Sequence, residues 1–87
     1  MKKKSKEEIE ELVMVFLCDY FGMERDEIKP ESKMATDLRA DSLDMVELML
    51  YAERTFGIEI SDEKLDAMAN CTVSEICDMI GELQGLS

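Results

Sequence analysis

The apolar residues of this 87-residue chain recur at helical spacing in three runs, and that periodicity limits the fold more than any other feature. Ile9, Leu12, Val13, Phe16, Leu17 and Tyr20 form the first run. Met45, Leu48, Met49, Ala52 and Phe56 form the second, and Val73, Ile76, Cys77, Ile80 and Leu83 the third. The start signals agree with the runs. Ser5 with Glu8 and Thr72 with Glu75 fit capping boxes, and Asp41 and Ser42 are both residue types that cap helices. Helices are therefore predicted from about residue 6 to 21, from Asp41 or Ser42 to near Thr55, and from Thr72 onward, with Gly22 and Gly57 as breaks. Ser61-Asp62-Glu63 opens a short fourth helix through about Met68. Ile58-Glu59-Ile60 has β-branched character but no partner strand, and is read as loop.

One Pro and four Gly favour helices over a turn-rich β fold, and 46% hydrophobic residues suffice for a packed interior. Residues 22 to 40 make a long connection, unusual in a small domain unless its own apolar residues pack. Ile28, Met34 and Leu38 are the predicted anchors. The fold class is all-α: a small four-helix bundle of three longer helices and one short one, with a long loop between the first and second. Residues 1–5 read as a disordered basic tail, 6–84 as the domain and 85–87 as a frayed end.

The net charge of −11 excludes nucleic acid and anionic membrane surfaces as natural partners and favours proteins with basic patches. It also favours a monomer. The acidity peaks in residues 37–66, with nine acids against three bases. The Lys-rich start precedes no apolar run, so neither a signal peptide nor a membrane span is predicted, and the cytoplasm is the default location. Cys18, Cys71 and Cys77 lack metal-type spacing and no histidine is present, so they read as buried, reduced thiols and no metal site is predicted.

On the second helix, stepping about 100° per residue puts Met45, Leu48, Met49, Ala52 and Phe56 on the core side. Asp44, Glu47, Tyr51 and Arg54 fall opposite, in water. Leu43, Val46 and Leu50 form a third strip edged by Glu47 and Glu53. Periodicity alone leaves two readings of this strip, a wide core face or a docking surface with an acidic rim. Ser42, at the head of the helix, has three readings. It could be a helix cap. It could be a nucleophile, but no catalytic base accompanies it: the chain has no His, no Gly-x-Ser-x-Gly and no Ser-x-x-Lys. It could be modified by another enzyme, since a helix N-terminus suits a phosphate.

Asp41-Ser42-Leu43, preceded by Asp37-Leu38 and followed by Asp44 and Val46-Glu47-Leu48, resembles the phosphopantetheine attachment site of acyl carrier proteins. Phe56-Gly57-Ile58-Glu59-Ile60-Ser61-Asp62-Glu63 resembles the stretch after that family's second helix, and Thr72-Val73 with the run from Ile76 to Ile80 the start of its last. The likeness spans roughly residues 7 to 83.

The resemblance implies that Ser42 carries a 4′-phosphopantetheine arm, transferred from coenzyme A by a separate Mg²⁺-dependent phosphopantetheinyl transferase. The arm's thiol would hold acyl groups as thioesters for fatty acid synthesis enzymes, and the chain would be a shuttle rather than an enzyme. Met45, Met49, Met68 and Met79 would be pliable linings for an acyl chain. Asp41, Leu43, Asp44, Val46, Glu47, Leu50 and Glu53 would form the docking face for basic patches on partners. Arg39 stands where the family usually has Gly, Arg54 interrupts the acidic second helix, Ser61 replaces a common Pro, and the stretch from Met68 to Thr72 is longer than usual. The two arginines point to a specialised carrier, for polyketide, aminoacyl or other acyl chemistry, as the alternative. A different class, an unmodified acidic adaptor bundle, would need no Ser42 at all.

Overall fold

The computed structural model describes residues 4–86. It contains four α-helices: α1 (Lys6–Phe21), α2 (Ser42–Phe56), α3 (Asp62–Met68) and α4 (Val73–Leu86). The small helical bundle read from the sequence is the fold observed. Among the described residues the only β pairing is a lone antiparallel bridge between Lys33 and Thr72. Among the described residues no helix is long and apolar enough to cross a membrane.

Local chemistry sets the helix ends. Ser5 and Glu8 form the expected reciprocal capping box at the head of α1, and Ser61 caps α3 by accepting from the Lys64 N–H. Thr72 and Glu75 exchange the same pair of bonds before α4, at 2.9 and 3.1 Å. Gly22 and Gly57 end α1 and α2 with φ of 65°, a left-handed conformation that glycine adopts without steric cost. Of the expected tail, residues 1–3 lie outside the described residues. Lys4 is held: its N–H donates to Gln84 Oε1 at 3.2 Å and its carbonyl accepts from Gln84 Nε2 at 3.1 Å. Of the expected frayed end, residue 87 also lies outside, while α4 runs through Gly85 to Leu86.

The core collects Ile9, Val13 and Leu17 of α1, Met45, Leu48, Ala52 and Phe56 of α2, Met68 of α3 and Val73, Ile76, Cys77 and Ile80 of α4. α1 packs chiefly on α4. The long connection reaches this core through Ile28, Met34 and Leu38, the three predicted anchors, all buried. Its backbone is stitched to the head of α4: Val73 N–H donates to Ser32 O at 2.9 Å and Ser74 N–H to Pro30 O at 2.8 Å. Met34 N–H donates to Cys71 O at 3.2 Å. These bonds satisfy backbone groups that a buried loop would otherwise leave without partners. The connection also contains a 3-10 turn (Arg25–Glu27) that periodicity did not reveal, tied to α1 by the bidentate pair of Arg25 with Glu11 at 2.8 and 2.9 Å.

Two assignments need correction, one on α2 and one among the cysteines. Tyr51 is half-buried rather than wet, because its ring stacks on Phe16 at 4.5 Å while its hydroxyl donates to Leu12 O at 3.1 Å. A tyrosine satisfies both surroundings at once, with an apolar body and a polar tip. All five aromatic residues in fact form one file, Phe21–Tyr20–Phe16–Tyr51–Phe56, with successive centroids 4.5 to 6.4 Å apart across the α1/α2 seam. The cysteines are free, as expected, but only Cys77 is buried; Cys18 and Cys71 are half-buried.

Candidate functional site

The head of α2 is capped by Asp41, not by Ser42. Asp41 Oδ1 accepts from the Asp44 N–H and Asp44 Oδ2 from the Asp41 N–H, both at 3.0 Å. This is a capping box with Asp in place of the usual Glu or Gln. It frees Ser42, the first helical residue, from any capping duty and leaves it exposed. The N–H groups of Ser42 and Leu43 head the helix, where the dipole favours an anion. The loop arrives through Arg39, whose φ of 56° is the one positive value at a non-glycine residue among those described. The chain turns there so that Ala40 N–H can reach Met34 O at 2.9 Å, which anchors the approach to α2 in the core.

Beside Ser42 an open groove of about 380 Å³ runs between α2 and α3, lined by Met45 and Val46 on one side and Leu65, Asp66 and Ala69 on the other. Of the methionines expected as pliable linings, Met45 lines the groove, while Met68 is buried in the core and Met49 and Met79 are half-buried against it. Among the described residues no group of His, Cys, Asp and Glu is arranged to hold a metal ion.

The strip next to Ser42 is largely open. Leu43 is 74% exposed and Leu50 40%, Glu47 is exposed and Val46 half-buried. Asp44 is partly covered. The Asp41 N–H and the Tyr20 hydroxyl both bond its carboxylate, which holds its pKa below the ordinary value. The same bond, with burial and the charges of Asp44, Glu47 and Asp41, raises the pKa of Tyr20. Tyr20 thus stands beside the acids at the head of α2, a neighbour that sequence reasoning missed because nothing in a helical pattern says which helix lies alongside. Glu53 is set apart from the strip: its carboxylate accepts from the Ile60 N–H at 2.9 Å and so holds the α2–α3 connection. Arg39 and Arg54 are both exposed.

A family model described as a phosphopantetheine attachment site matches residues 11–80. The chain is 39% identical over 79 residues to an acyl carrier protein of Rubrobacter xylanophilus, covering 91% of this chain and 95% of that protein. The chain belongs to the acyl carrier protein family. The acyl carrier protein of Chlorobium phaeobacteroides is 44% identical over 73 residues, covering 84% of this chain and 91% of that one. A solved acyl carrier protein structure from Enterococcus faecalis superposes with a TM-score of 0.78 at 31% identity, covering 92% of this chain and 99% of that chain. Like other acyl carrier proteins, this one carries acyl groups on covalently attached 4′-phosphopantetheine, receives that group from a phosphopantetheinyl transferase, and works with acyl-handling enzymes.

Proposed function

We propose that Ser42 is the attachment point of the 4′-phosphopantetheine and that the carrier serves fatty acid synthesis in the cytoplasm as a monomeric shuttle with no catalysis of its own. One observation carries this reading. The Ser42 hydroxyl is exposed at the first position of α2 while Asp41 and Asp44 do the capping, so it can be modified without unmaking the helix. The residues present fit the group. Free N–H groups at the head of α2 favour the phosphodiester's negative charge. The groove from Ser42 between Met45, Val46 and Leu65 accepts an apolar chain. The bound group supplies a thiol that holds acyl chains as thioesters.

Leu43, Val46, Glu47 and Leu50 form the centre of the docking face, with Asp41 and Asp44 at its head. Apolar side chains ringed by carboxylates suit transient partners with basic patches, because charge raises the encounter rate while a small contact still releases. Glu53 belongs to the fold of the carrier rather than to its docking face, since its carboxylate is engaged by the Ile60 N–H. Arg39 and Arg54 support a second reading, a specialised acyl pathway, because both add positive charge near a face built to meet positive partners. The domain runs from residue 6 to 84 in either case.

Intact mass after incubation of the apo protein with coenzyme A, Mg²⁺ and a promiscuous phosphopantetheinyl transferase tests the attachment. The parent should gain one phosphopantetheine and Ser42→Ala none. A gain on both, or on neither while both are folded, overturns it. Glu47→Lys should slow loading with helicity unchanged, and kinetics equal to the parent's would refute the docking face.

A further inference from the structure

At Arg39 the backbone takes a turn that does not suit its residue. The φ of 56° lies in the left-handed region, where a Cβ crowds the following carbonyl. Glycine takes that conformation freely, so an arginine kept there points to a use for its side chain. Arg39 is exposed, and its guanidinium forms no ion pair among the described residues. It stands three residues before Ser42, closer in sequence than any other basic residue. The chain between them is fixed, with Ala40 N–H donating to Met34 O at 2.9 Å and Asp41 N–H to Asp44 Oδ2 at 3.0 Å. Three residues span at most about 11 Å, a gap that an arginine side chain and a phosphate on Ser42 close from its two ends.

We propose that Arg39 is a positioning residue for the 4′-phosphopantetheine, its guanidinium bonding the phosphodiester carried by Ser42. A phosphodiester at this place meets two opposed influences. The N–H groups at the head of α2 attract it, while Asp41 and Asp44, in capping the helix, bring two carboxylates to the same end. A cation beside Ser42 offsets those carboxylates. A guanidinium suits the task, because its fork of N–H donors matches phosphate oxygens and it stays charged at any working pH. The pair would hold the base of the arm at the mouth of the groove, whose lip is formed by Ala40, Asp41 and Ser42. Arg54 cannot share this part, since it lies twelve residues along α2 from Ser42, about 18 Å at the rise of a helix.

The inference rests on attachment at Ser42, which intact mass decides separately, so only protein whose mass shows one phosphopantetheine enters the test. The side-chain Nε–H signal of Arg39 would be followed by NMR in apo and loaded protein. It should shift on loading at low salt, and the shift should shrink at 1 M NaCl, where the Debye length is about 3 Å. Urea unfolding of apo and loaded parent, Arg39→Gln and Arg54→Gln gives a second readout. Loading should favour unfolding of Arg39→Gln over that of the parent by roughly 1.5- to 5-fold in the equilibrium constant, the size of an exposed ion pair. Arg54→Gln loses the same charge and should follow the parent. An Arg39 signal indifferent to loading would overturn the proposal and leave that side chain free for an acidic group on a partner. Equal loading effects in Arg39→Gln and Arg54→Gln would overturn it as well, because net charge alone would then explain the result.

Discussion

Replacing Arg39 by Gly should make this protein more stable, although it removes a whole side chain. Arg39 holds a φ of 56°. In that left-handed region a residue with a Cβ carries a penalty of about 1–2 kcal/mol from the clash with the following carbonyl. Glycine escapes the clash but has more freedom to lose on folding, about 0.5–1 kcal/mol. The net expectation is a gain of about 0.5–1 kcal/mol. For a domain of this size about 1 kcal/mol moves the midpoint by roughly 4–8 °C, so thermal unfolding of apo Arg39→Gly should rise by about 2–8 °C. Two controls isolate the cause. Arg39→Gln makes the same change in net charge while keeping the Cβ, and should stay within about 0.5 kcal/mol of the parent. Arg39→Pro imposes a φ near −65°, on the wrong side, and should be destabilised by more than glycine gains. Unfolding followed by circular dichroism at fixed ionic strength is sufficient. A midpoint for Arg39→Gly equal to or below that of Arg39→Gln would refute the reasoning, because the benefit would then not come from the backbone.

Asp41→Ala should cost about 1 kcal/mol through the lost cap, whereas Ser42→Ala, which removes a hydroxyl with no capping role, should stay within about 0.5 kcal/mol; urea titrations of both distinguish these outcomes. The lowered pKa of Asp44 makes a folded-state contribution that is fully present above the unfolded carboxylate value and is lost as pH falls through the lower folded value, so acid titration by NMR should find Asp44 below the ordinary aspartate range, with Tyr20→Phe moving it upward. Burial pushes the Cys77 thiol up to about 12, so a thiol reagent on the native apo protein should label Cys18 and Cys71 well before Cys77.

The sequence made α1 and α4 legible because each carried two independent signals, apolar periodicity and a start residue with its partner three positions on. The 3-10 turn carried neither. Its three residues, Arg25, Asp26 and Glu27, are all charged and none is buried, so no hydrophobic pattern marks it. Which of Asp41 and Ser42 caps α2 could not be read from type alone, since both residues cap well and Asp44 is an unusual box partner; the two 3.0 Å bonds settle it. Ser42, the proposed attachment point, and the strip from Leu43 to Leu50 were visible as a motif and a stripe. The contributions of Tyr20, from α1, and Glu53, toward Ile60, depend on which elements end up side by side. A period of 3.6 describes one helix and says nothing of its neighbour. Arg39 is the intermediate case. Its place in a position where glycine is usual was read as added charge alone, and the positive φ shows that the position also has a backbone meaning.

The aromatic file has a practical consequence for watching this carrier at work. With no Trp and only two Tyr, all of its intrinsic ultraviolet fluorescence above the phenylalanine range comes from Tyr20 and Tyr51. Both rings stack on Phe16, and both hydroxyls are engaged, one by a carboxylate and one by the Leu12 carbonyl. Any movement of α2 against α1 must therefore alter the surroundings of both emitters. The chain has a built-in optical gauge of its α1/α2 seam, readable without a dye, a label or a substitution.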